Sequence, residues 1–130
     1  MANISALQDI TKIAKAKHAS LVAISKTKSA QDIQIVYTAG QRIFGENKVQ
    51  ELVAKYEQLP KDIQWHMVGT LQTNKVKYIA PFISLIHSVD SLKLAIEINK
   101  QALKNNRVID VLLEIHIAAE TSKSGFSEEE

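Results

Sequence analysis

Leu21-Val22-Ala23-Ile24-Ser25-Lys26-Thr27 is an apolar run that closes on a lysine. Such a run reads as a buried strand. A lysine at its C-terminal end gives up hydration, and parallel α/β folds place their ligands at that end of their strands. Desolvation disfavours the ammonium form, so a cleft there predicts a more nucleophilic amine than a surface lysine carries. The same residue also reads as a strand cap that snorkels to water. The surrounding sequence has to separate the two.

Outward from this run, helix-period and strand-period segments alternate with little between them. Before it, Asn3 precedes Ile4, Leu7, Ile10, Ile13 and Ala14 at helical spacing, so residues 4–18 read as a capped amphipathic helix. The run itself is strand one, 20–26. Ser29 with Asp32 three residues on starts a helix over 30–39, and Gly40 suits its end. Residues 42–44 form a short strand ending at Gly45. Val49, Leu52, Val53, Tyr56 and Leu59 mark the next helix, stopped by Pro60. Strand three is 64–68, a short helix covers 73–79, and strand four is 83–88. Leu92, Ala95, Ile96, Asn99 and Leu103 share one helix face, and Asn105-Asn106 breaks that helix before strand five, 108–118. Five strands with helices between them predict a parallel sheet. In strand five, Val111, Leu113, Ile115 and Ile117 make one apolar face suited to helices. Leu112, Glu114, His116 and Ala118 make the other, suited to a barrel interior or ligand cleft.

Bulk properties narrow the function. The 130 residues fit one domain, with 45% hydrophobic and 23% charged residues and a net charge of +2. Acids and bases are interspersed, so neither a nucleic-acid footprint nor a membrane-surface patch stands out. The absence of cysteine removes disulfides and thiolate metal sites and fits a reducing compartment. No apolar run approaches the ~20 residues of a membrane span, and residues 1–5 lack signal-peptide character, so a cytoplasmic location is the expectation. His18, His66, His87 and His116 have no tight ligand spacing, so no metal site is expected. Neither a Gly-x-Gly-x-x-Gly nor a Walker lysine loop is present.

Four segments follow strand ends and would converge on one rim of a parallel sheet. Gly45-Glu46-Asn47 offers a carboxylate, an amide and a pliant backbone, and equally reads as a helix cap. His66 to Gly69 places an imidazole on strand three, where a satisfied core histidine is the commoner meaning. His87-Ser88-Val89-Asp90 brings a hydroxyl to the rim or starts a helix. Ser122-Lys123-Ser124-Gly125 has the composition of an anion-binding loop or of an exposed polar one.

Taken in order, Val22-Ala23-Ile24-Ser25-Lys26-Thr27, Phe44-Gly45-Glu46-Asn47 with Val49-Gln50-Glu51, Trp65-His66-Met67-Val68-Gly69 with Leu71-Gln72-Thr73-Asn74-Lys75, His87-Ser88-Val89-Asp90 and Ser122-Lys123-Ser124-Gly125 resemble the pyridoxal phosphate homeostasis proteins. Each motif alone is weak; the ordered set, over residues 21–126, is specific. The resemblance implies an α/β fold, a partial TIM-like (β/α)₈ barrel of the alanine racemase N-terminal domain type, covering about strands one to five. It implies pyridoxal 5′-phosphate (PLP) at the C-terminal rim, with Lys26 forming the internal aldimine. It implies Asn47 beside the cofactor ring, His66 and Ser88 on strands lining the pocket, and Lys123 as a rim lysine. The family holds and hands on PLP, to PLP-dependent apoenzymes among others, and so influences vitamin B6 and amino-acid balance without robust catalysis.

The family's phosphate cradle, a Gly-Met-Ser-type segment and a later Arg-Ile-Gly-type segment, has no counterpart in these 130 residues. Ser127-Glu128-Glu129-Glu130 reads as a helix start with no helix after it. The chain is therefore expected to be the N-terminal portion of one barrel domain, truncated, with weak PLP affinity by itself and with sheet edges open to self-association. Two other readings compete. A five-stranded flavodoxin-like ligand-binding or signalling domain fits the length, and differs in that its strand order reverses at a switch point. An active PLP-dependent racemase using Lys26 would need a second acid/base group.

Overall fold

The computed structural model describes residues 3–115 and residue 117. Its elements follow the alternating pattern: α1 (Ile4–Ala16), β1 (Ala23–Ile24), α2 (Ala30–Thr38), β2 (Ile43–Glu46), α3 (Val49–Gln58), β3 (Gln64–Met67), α4 (Val76–Ile79, entered through a 3-10 turn at Thr73–Lys75), β4 (Leu85–Val89), α5 (Leu92–Lys104) and β5 (Asp110–Leu113). Local chemistry sets the boundaries. The Asn3, Ser29 and Ser91 side chains accept from the N–H groups of Ala6, Asp32 and Leu94, which caps α1, α2 and α5. Gly40, at φ 112, adopts after α2 a backbone conformation that a side chain resists.

All strand pairs are parallel, in the order β1-β2-β3-β4-β5. Right-handed crossovers between successive neighbours put every connecting helix on one face of the sheet. A doubly wound sheet would reverse its order and place helices on both faces, so the flavodoxin-like alternative is overturned. This is the topology of a barrel wall.

The helix-side face carries the core. Phe44 and Trp65 are register partners with ring centroids 5.9 Å apart, and both are buried under Leu52 and Val76 with Met67 and Ile86. A register shift between Ile86 and Val89 turns both onto that face although they are three residues apart. On the opposite face, a Cβ on Gly45 would lie 2.9 Å from Ile24 Cδ1, 3.0 Å from Val68 Cγ1 and 3.2 Å from Val22 Cγ1. That face is open, since Ile24 is 53% exposed.

Three expectations shift. β1 is two residues long rather than seven, pairing only with β2 through Ala23 and Ile24. α1 has no buried residue, and its Ile10 and Ile13 are exposed. β5 spans four residues, and only Val111 of its expected helix-facing set packs on the core, while Leu113, Ile115 and Ile117 are exposed. Nothing among the described residues covers these surfaces at the two ends of the sheet. His116, Ala118 and the 122–125 loop, with Lys123, lie outside the described residues. Among the described residues no helix is long and apolar enough to cross a membrane.

Candidate functional site

The rim forms where β1 to β4 end. Asn47 follows β2, and Gly69 follows β3 by two residues. A Cβ on Gly69 would overlap the Asn47 side-chain amide and come within 2.6 Å of its backbone oxygen, so Asn47 lies directly against the bare glycine. Ser88 is buried, and its hydroxyl donates to the Gly69 carbonyl. Asn47, Gly69 and Ser88 therefore form one contiguous strip across three strand ends.

His66 lies one step down β3. It is buried, and its Nδ1 stands 3.0 Å from His87 Nε2, so one ring donates to the other. His66 pairs in register with Leu85, which places His87, two residues on, on the same face. Burial, and then the neighbouring His87, lower the pKa of His66 below the usual imidazole value. An imidazole held neutral in the fold leaves stability intact above its unfolded pKa of about 6.5 and costs stability as pH falls through that value. Thermal melts between pH 8 and pH 5 should show this loss, at no more than about 1.4 kcal/mol per pH unit. His66→Gln should flatten it; an unchanged slope would contradict the assignment.

Lys26 departs from expectation. It is exposed, and its amine has no hydrogen bond or ion pair among the described residues. The desolvation expected at a strand end is not supplied, because the open face around Ile24 has no covering layer among these residues. Its backbone, in contrast, is tightly constrained. Lys28 N–H donates to the Ser25 carbonyl at 3.1 Å and closes a turn. Thr27 sits in that turn at φ 64, a left-handed conformation that costs a β-branched residue on the order of 1–3 kcal/mol. Its N–H donates to Glu51 Oε1 at 2.7 Å.

Glu46 also departs from expectation. Read as a rim carboxylate beside Asn47, it points instead behind the sheet and is fully buried against α3. Strand β2 runs through Gly45 to Glu46, so Glu46 shares the face of Phe44. Its Oε2 accepts from Lys55 Nζ at 2.9 Å and from the Ser25 hydroxyl, while Oε1 has no partner. Lys55 Nζ also donates to Glu51 Oε1 at 2.7 Å and to the Ser25 carbonyl at 2.8 Å, so its three protons have three acceptors. The Lys55 hydrogen bond, followed by that of Thr27 N–H, holds the Glu51 carboxyl below its usual range. Sequence reasoning missed Lys55. Its available signal was the i,i+4 spacing from Glu51 on a predicted helix.

Residues 2–130 match the family model described as alanine racemase, N-terminal domain. The chain belongs to that family. Among its curated relatives, the pyridoxal phosphate homeostasis protein of Aquifex aeolicus is 47% identical over 112 residues, covering 85% of this chain and 49% of the relative. That of Helicobacter pylori strain 26695 is 44% identical over 132 residues, covering 93% and 59%. PipY of Synechococcus elongatus, solved with PLP bound, aligns with TM-score 0.74 and 38% identity over 82% of this chain and 50% of that one. Without PLP it aligns with TM-score 0.77. The chain thus spans about half the length of the curated relatives it matches. These matches agree with the parallel α/β fold described above.

The donor set fits an aldehyde cofactor. Lys26 presents a primary amine without a competing carboxylate, and Asn47 and Ser88 bring an amide and a hydroxyl to the adjoining strand ends. A groove of about 680 Å³ opens beside Asn47, with Lys48, Thr70, Gln72 and Lys75 also on its walls.

Proposed function

We propose that this chain binds PLP, holds it covalently through Lys26, and takes part in vitamin B6 and amino-acid homeostasis in the cytoplasm without robust catalysis. The observation that supports the reading is that Lys26, the Asn47–Gly69–Ser88 strip and the His66–His87 pair lie on or just after four consecutive parallel strands. The PLP-bound PipY relative supports the cofactor class.

When bound, PLP supplies an aldehyde carbon that condenses with a primary amine, and a phosphate dianion. Lys26 would be the amine and Asn47 would orient the ring from the neighbouring strand end; Lys123, the proposed further cation, lies outside the described residues. His66 and Ser88 shape the wall. The two imidazoles are joined through His66 Nδ1 and His87 Nε2, and holding the cofactor is the simpler role. Handing PLP on to PLP-dependent apoenzymes would require that Lys26 hold it reversibly, so that water or another amine could displace the lysine. Among the described residues nothing pairs with the outer edges of β1 and β5, and self-association would run there.

The test is the site of capture. The chain is incubated with excess PLP, reduced with borohydride, digested and mapped by mass spectrometry. Lys26 should carry the label ahead of the other lysines; label spread evenly over surface lysines would reject the proposal.

A further inference from the structure

We infer that Glu51 and Lys55 are positioning residues for Lys26, holding the backbone on both of its sides from the helix behind the sheet. The inference rests on the reading of Lys26 as the cofactor's anchor. On the preceding side, Lys55 Nζ donates to the Ser25 carbonyl at 2.8 Å and the Ser25 hydroxyl donates to Glu46. On the following side, Thr27 N–H donates to Glu51 Oε1 at 2.7 Å. That same Glu51 oxygen lies 2.7 Å from Lys55 Nζ, so one ion pair joins the two attachments into a single clamp.

A surface turn does not need such support, and this one does. Thr27 is held at φ 64, which a β-branched residue leaves unless its surroundings fix it. The N–H that Glu51 accepts is the group that relaxation of the turn would move. The clamp also gives a reason for burying charge behind β1 and β2, where apolar side chains would pack at least as well. Ions there fix the direction from which Lys26 leaves the sheet while its own side chain stays free. Glu51 is the member that can be changed with least harm to the core, at 29% side-chain exposure against 7% for Lys55 and 0% for Glu46.

The experiment compares the wild-type chain with Glu51→Ala and Glu51→Gln by two readouts. The first is amide hydrogen exchange at Thr27. The second is borohydride capture of PLP at Lys26, measured by peptide mapping against exposed Lys100 in the same sample. In Glu51→Ala the Thr27 amide should lose protection, and Lys26 capture should fall on the order of tenfold relative to Lys100, the effect of one lost charge-assisted hydrogen bond. Glu51→Gln keeps an oxygen acceptor and should recover most of both signals. Unchanged Thr27 exchange or unchanged Lys26 capture in Glu51→Ala would overturn the clamp, as would equal losses in the two variants. A wild-type chain with no preference for Lys26 would overturn the anchor and the clamp together, whereas a preference kept in Glu51→Ala would overturn the clamp alone.

Discussion

Replacing Lys26 by alanine is expected to abolish the specific borohydride-stable PLP adduct while leaving the fold intact. The separation is sharp because Lys26 contributes nothing visible to stability. It is exposed, its amine has no partner among the described residues, and the neighbouring turn is held by Ser25, Thr27, Glu51 and Lys55. A surface substitution of this kind changes stability by about 0.5 kcal/mol or less, so the melting temperature should stay within about 3 °C of wild type. The adduct, by contrast, needs a primary amine at the position proposed as the anchor. Mapping after borohydride treatment would then recover only the diffuse labelling common to exposed lysines. A selective adduct that survives in Lys26→Ala would remove Lys26 from the proposal even with the fold confirmed.

The chain's local chemistry made most of the architecture legible. Asn3 and Ser29 announced their helices by position, Gly40 and Asn105-Asn106 announced where helices end, and the alternation of βα units implied the parallel sheet before any strand order was known. Facing was harder to read. A strand that ends at Gly45 leaves Glu46 in a loop, and one more residue of strand turns its carboxylate from the rim to the core. The alternation from Phe44 already pointed that way. His66 and His87 are 21 residues apart, so nothing in their spacing tells that they meet; the register of β3 with β4 does. Lys26 was read as shielded because strand ends in closed barrels are enclosed by the rest of the wall, whereas here the inner face beside Ile24 is open. What the sequence encodes locally is the wall. What surrounds its mouth depends on contacts that no local pattern specifies.

The largest effect on stability should come from Lys55→Met. Methionine matches the length of the lysine stem but removes the one cation that touches Glu46 among the described residues, and Glu46 is fully buried and already leaves Oε1 without a partner. The Ser25 hydroxyl alone would then face a buried charge, and the Ser25 carbonyl and Glu51 would each lose a donor. Breaking a buried pair in this one-sided way costs about 3–5 kcal/mol, enough to lower the melting temperature by roughly 10 °C or more. Adding Glu46→Leu to Lys55→Met removes the stranded charge as well and should recover most of the loss, since an apolar pair of similar size is often as stable as the ions it replaces. A single variant within about 1 kcal/mol of wild type in urea unfolding would mean that Glu46 finds other compensation. The recovered double variant then separates the two roles of the cluster. It restores packing behind β1 without restoring the bond from Lys55 to the Ser25 carbonyl, so if the ions serve to aim Lys26, its stability should return while selective capture at Lys26 stays impaired.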